Sequence, residues 1–191
     1  MNKRLISRLI QERVEGIKNS GVYFFRGDYD QILQGVALEY VPRGLYVWSY
    51  QFPLFDFLGP NLSYSKRLAE SSFIERGAMS EKEIVDSVMS APEVRAELQS
   101  EVALSLQDFV RELEEGNTKS SHARLIQAAA SILLGQESAA ATLLKELPPL
   151  LHPKDVPHCN QLAEALKSGG GPARDVLQQA RQKNLITLGL V

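Results

Sequence analysis

Val41-Pro42-Arg43-Gly44-Leu45-Tyr46-Val47-Trp48-Ser49-Tyr50-Gln51-Phe52-Pro53 is a turn, a strand and a stop. Proline second and glycine fourth is the pattern of a type I turn. After it, Tyr46, Trp48, Tyr50 and Phe52 alternate with Leu45, Val47, Ser49 and Gln51, the two-residue period of a strand. Pro53 has no N–H for a ladder and ends the run. Residues 31–41 read as the partner strand, so 31–52 is a hairpin with one aromatic face. That face is expected to be core under an N-terminal helix. Any part left uncovered is a candidate partner surface led by Trp48 and Tyr50, because Trp and Tyr dominate interface hot spots.

Outward from the hairpin the two ends of the chain differ in composition. Thirteen of the fourteen aromatic residues lie between Tyr23 and Phe73, and aromatics suit a pleated, half-buried surface. Residues 3–18 predict an amphipathic helix, with Leu5, Ile6, Leu9, Ile10, Val14 and Ile17 at three- and four-residue spacings. Residues 22–26 predict a short strand closed by Gly27-Asp28, and residues 62–65 a further short strand. Beyond Gly77 the chain turns rich in Ala, Leu, Glu and Gln, the straight-chain helix formers. Ser80 with Glu83 is a capping box for a helix over 81–89. A long helix is predicted over 93–115, with Val94, Leu98, Val102, Leu106, Phe109 and Leu113 as its stripe and Gly116-Asn117 as its end. Helices at 121–134, 137–147, 156–167 and 173–183 follow, and the apolar tail 185–191 is expected to dock. The expected class is α+β: an N-terminal helix on a small antiparallel sheet over 1–77, then an all-α bundle of helical hairpins over 78–191, in one compact unit.

Composition narrows the function. The net charge is −2 with no Lys/Arg tract, which argues against a nucleic-acid partner. No window reaches the apolar length of a membrane span, so no membrane partner is expected. A single cysteine, Cys159, suits a reducing compartment. Met1-Asn2-Lys3-Arg4 runs into mixed residues rather than the apolar run of a signal peptide. A cytoplasmic protein is expected.

Several groupings invite chemistry and are weak on inspection. His152, Asp155, His158 and Cys159 are zinc-ligand types, but no second ligand pair occurs elsewhere, so no metal is expected. Cys159 with His152 lacks an orienting third group and an oxyanion motif. Ser168-Gly169-Gly170-Gly171 opens a helix without the lysine and strand of a phosphate loop. Arg26-Gly27-Asp28 makes a strand-end turn. No catalytic residue and no cofactor are expected. Residues 80–116 carry ten acids against three bases, a net −7, and Glu97, Glu101, Asp108 and Glu112 on the long helix are a candidate acidic docking surface.

Two resemblances add to this. Gln127, Ala129, Gly135, Ala139 and Leu143 are matched 34 residues later by Gln161, Ala163, Gly169, Ala173 and Leu177. Helix, glycine turn and helix at that period resemble a tetratricopeptide repeat, although Arg124 and Ser131 stand where that family has large residues. Gly21-Val22-Tyr23-Phe24-Phe25-Arg26, with Tyr46-Val47-Trp48, Phe52-Pro53-Leu54-Phe55 and 62–68, resembles a group of bacterial domains of unknown function that includes immunity-like proteins. That resemblance, over residues 5–68, implies binding to a protein and brings no catalytic residue. The expected function is a non-catalytic, protein-binding immunity or accessory factor. The alternatives are a small-molecule enzyme with a pocket at the sheet, from Arg26, Asp28, Tyr64 and Arg67, or a self-associating homo-oligomer.

Overall fold

The computed structural model describes residues 1–26, 29–68, 73–99, 103–116 and 120–191. The expected Gly27-Asp28 turn, Glu101, Val102 and Asn117 lie outside the described residues. The class is α+β. By contact the chain falls into two compact units, Met1–Phe52 with Leu62–Ala103, and Pro53–Asn61 with Leu104–Val191.

In the first unit, α1 (Lys3–Arg13) is capped by Asn2, whose side chain accepts the Leu5 N–H. It stops earlier than the apolar spacing predicts. Val14 already has extended backbone, and Gly16 adopts φ 74°, a conformation open to glycine at no steric cost. The residues released form β1 (Lys18–Ser20), which pairs antiparallel with β2 (Tyr23–Phe25). Then come β3 (Ile32–Val41) and β4 (Gly44–Pro53), joined by the two-residue turn Pro42-Arg43. The sheet order is β1-β2-β3-β4-β5, with β5 (Tyr64–Arg67) and β6 (Phe73–Glu75) both pairing with β4 along its second edge. Gly44 is obligatory there, because a Cβ would run into the Ile74 carbonyl.

Helices α2 (Glu81–Ser90) and α3 (Pro92–Gln99) complete the unit, α2 opening with the expected Ser80–Glu83 capping box. Its core joins Ile6 and Ile10 of α1, Ile84, Val85 and Val88 of α2, and Val94 and Leu98 of α3 to Leu45 and Val47. The helices therefore take the Leu45/Val47 face of β4, where the sequence reading had put the N-terminal helix on the aromatic face. Both faces of β4 are apolar, so periodicity leaves the choice open. Branched side chains of the helices interdigitate with Leu and Val, and the opposite face leaves the Trp48 indole N–H within reach of a polar partner.

The helix predicted over 93–115 is also corrected, since the described parts are α3 and a separate α4 (Leu106–Glu115). Ser105 starts α4, accepting the Asp108 N–H at 3.0 Å, a cap worth about 1 kcal/mol. In the second unit α5 (Ser121–Leu133) and α6 (Glu137–Glu146) form one hairpin, α7 (Val156–Lys167) and α8 (Gly170–Thr187) another. Each turns at a glycine in the left-handed region, Gly135 at φ 75° and Gly169 at φ 118°. α6 packs on α7, and α5 on both α4 and α8. Leu185 and Leu188 are buried, so part of the apolar tail docks as expected.

Leu45 is fully buried at the centre of the first unit. Leu45→Ala is expected to lower its unfolding free energy by about 2–5 kcal/mol in urea titrations. A loss under about 1 kcal/mol would contradict the packing described.

Candidate functional site

Alternation along β4 places Tyr46 and Trp48 opposite the helix-bearing face. Register then sets Phe73 of β6 across from Tyr46, and Arg67 of β5 across from Trp48. The Tyr46 ring lies 4.8 Å from Phe73 and 6.3 Å from Trp48. The Arg67 guanidinium sits over both rings, 4.3 Å from the centre of Tyr46 and 5.1 Å from that of Trp48. The Trp48 indole N–H donates to Glu39 at 2.9 Å. Trp48 and Tyr46 are half-buried, Arg67 is exposed, and Phe73 keeps 41% of its surface in solvent. Tyr50 is wholly buried, its ring edge-on to Tyr23 at 5.0 Å, and burial pushes its hydroxyl well above the ordinary tyrosine value. It contributes no accessible surface.

The acidic residues are distributed over two helices. Glu97, on α3 in the first unit, is half-buried and accepts the Ser49 hydroxyl at 2.6 Å. Asp108, half-buried, and Glu112, exposed, lie on α4 in the second unit. The Ser105 hydroxyl and, after it, Arg111 hold the Asp108 carboxyl below its ordinary range. The break at Ser105 thus removes the single helical ladder on which an acidic surface was expected, and Glu101 lies outside the described residues.

The sequence reading missed a polar network in the second unit. Asp56 lies in Pro53–Asn61 and its carboxylate is fully buried. Its oxygens accept the Leu58 N–H at 2.9 Å and contact His122 Nε2 of α5 at 3.1 Å. The other ring nitrogen, Nδ1, faces the buried Asp155 carboxylate at 3.4 Å, an ion-pair contact rather than an aligned hydrogen bond. Asn184 of α8 donates to the backbone carbonyls of Leu54 and Asp56, at 2.7 and 2.8 Å. Burial alone would lower the His122 pKa. The Asp56 hydrogen bond and the charges of Asp56 and Asp155 outweigh it, so the ring titrates above the ordinary histidine value. A carboxylate at each nitrogen favours the protonated ring.

The other sequence groupings disperse. His152 accepts the Lys154 N–H, and Asp155 turns to His122. His158 stacks on Phe57 at 4.8 Å, and Cys159 is buried, which raises its thiol pKa. Among the described residues no group of three His, Cys, Asp or Glu side chains is arranged to hold a metal. At the start of α8, the Glu137 carboxylate occupies the space a Gly170 Cβ would need and pairs with Arg174. Arg26 follows β2, whereas Tyr64 and Arg67 lie on β5, three strand spacings away, roughly 14 Å. Those residues do not converge, and Asp28 lies outside the described residues.

One signal could have revealed Asp56. An acid inside Leu54-Phe55-Asp56-Phe57-Leu58 must be paired if that run is buried. Its partner, 66 residues on, leaves no local trace. No helix among the described residues is long and apolar enough to cross a membrane. No protein-family model, curated protein or solved structure matches the chain.

Asn184→Ala leaves two buried carbonyls without donors and is expected to cost about 2–4 kcal/mol in chemical denaturation. The raised His122 pKa contributes stability that is complete below the ordinary histidine value and lost as pH rises through the raised one. Unfolding free energy should therefore fall from neutral to alkaline pH, and His122→Gln should flatten that part of the curve. An unchanged slope in the variant would assign the effect to other groups.

Proposed function

We propose that this is a non-catalytic protein-binding protein whose partner seats on the outer face of the sheet around Trp48. The single observation that carries the reading is the half-exposed cluster of Tyr46, Trp48 and Phe73 with Arg67 laid across the rings. Trp, Tyr and Arg are the residues that concentrate binding energy in protein interfaces. Strand pairing to β4 fixes the backbone beneath Arg67 and Phe73, so the cluster's placement is set before docking.

Two features favour a protein over a nucleic acid. Glu39 and Glu75 share this strand face, by alternation and register, and a phosphate backbone would be repelled by them. The faces of Tyr46 and Trp48 that a base would stack on are already covered by Arg67. An immunity or accessory role in a bacterial cytoplasm is the setting this reading fits, and kinship of the two helical hairpins with tetratricopeptide units belongs to the same proposal.

A photo-reactive phenylalanine analogue at position 73 tests it in lysate of the source organism, with the same analogue at exposed Lys82 as control. One discrete protein crosslinked at position 73 alone, and lost in Trp48→Ala and Arg67→Glu backgrounds, is the expected result. Crosslinks to a second copy of the chain would make the partner itself. Equal labelling from both positions would sink the proposal.

A further inference from the structure

We propose that Asp56, His122 and Asp155 form a proton-operated latch on Pro53–Asn61: the protonated ring holds the segment on α5, and loss of the proton frees its Asp56–Asn61 end. The inference concerns the second unit alone and does not rest on the binding role of the sheet.

Residues 54–61 contain no helix or strand, so their position depends on side-chain ties. Buried Leu54 and Phe55 anchor one end, where Asn184 also grips the Leu54 and Asp56 carbonyls. That grip is between neutral amides and does not change with pH. The other end is organised by the Asp56 carboxylate, which accepts the Leu58 N–H and an Asn61 side-chain N–H at 3.3 Å. A carboxylate without solvent exposure needs a counter-charge, and the ring of His122 is what touches it.

The surrounding charges leave the ring in control. The segment contributes Asp56, and the turn before α7 contributes Asp155, buried and facing Nδ1. On α5 itself Arg124 turns away to Glu146 of α6, and Glu114 of α4 bonds Gln127 further along. From α7, His158 is stacked on Phe57. From α8, Asn184 is neutral, and Lys183 is exposed on the rim of a cleft of about 180 Å³ that Asp56 and Phe57 also line. With the ring protonated, its charge lies between the two carboxylates, hydrogen-bonded to Asp56 through Nε2 and in ion-pair contact with Asp155 through Nδ1. A neutral ring has one N–H, so one carboxylate then faces a lone pair and two buried negative charges stand uncompensated. Moving Asp56 toward solvent relieves this, and it takes the anchors of Leu58 and Asn61 with it. The cleft wall formed by Phe57 opens as a result.

NMR on the full chain reads both events, the His122 ring titration and the exchange protection of the Leu58 amide. Between about pH 6 and about pH 9, protection of Leu58 is expected to fall about tenfold, with the midpoint of the His122 ring, while Ile126 within α5 stays protected. Asp155→Asn should move both midpoints to lower pH together, and His122→Gln should make Leu58 protection independent of pH. If His122→Gln does not fold, the Asp155→Asn comparison still decides. Leu58 protection that stays constant while the ring titrates, or a ring midpoint at or below the ordinary histidine value, would overturn the latch.

Discussion

The first unit depends on one strand that is apolar on both faces and paired on both edges. β4 borders β3 on one side and both β5 and β6 on the other, so it has no free ladder to expose. One face, through Leu45 and Val47, draws in the stripes of α1, α2 and α3. The other carries Tyr46, Trp48, Tyr50 and Phe52, of which the last two are fully buried. The gradient along that face, from buried Phe52 to half-exposed Tyr46, is what separates core from candidate interface within a single strand.

The second unit is governed by a different constraint, charge without water. Its helices meet through small residues and turn at Gly135 and Gly169, yet two carboxylates are buried among them. Buried ions seldom stabilise a fold more than apolar residues of the same shape would. Here the buried polar ties fall on Pro53–Asn61, of which residues 54–61 contain no helix or strand. The Asp56–His122 contact and the Asn184 amide are what fasten it.

Much of this architecture is legible in the sequence, and what is not has identifiable physical reasons. The turn at Pro42-Arg43, the alternation of β4, the capping box of Ser80 and Glu83, and both glycine-turned hairpins follow from local chemistry. β1 and β6, of three residues each, are too short to show a period. The helix break at Ser105 is hidden because apolar spacing runs on through it, and the signal that marks it, a serine three residues before an acid, is common inside helices too. Which face of β4 the helices take is a question of packing between two apolar faces, and periodicity has no preference. Of the residues expected to bind, Trp48 sits in the exposed cluster and Tyr50 does not, although alternation treats them alike. Arg67 and Phe73 join the cluster only through strand register, and the tie between Asp56 and His122 exists only in the folded chain.

Trp48 is the only tryptophan in the chain, so its fluorescence reports on the proposed interface without labelling. The most direct test of the account is acrylamide quenching of that fluorescence in the free protein and again with the crosslinked partner added. Partial quenching of the free protein, intermediate between a buried and a free indole and abolished by the partner, is the result the account predicts. An indole that acrylamide cannot reach in the free protein would mean that the outer face of β4 is already covered, and the binding surface would have to be sought elsewhere.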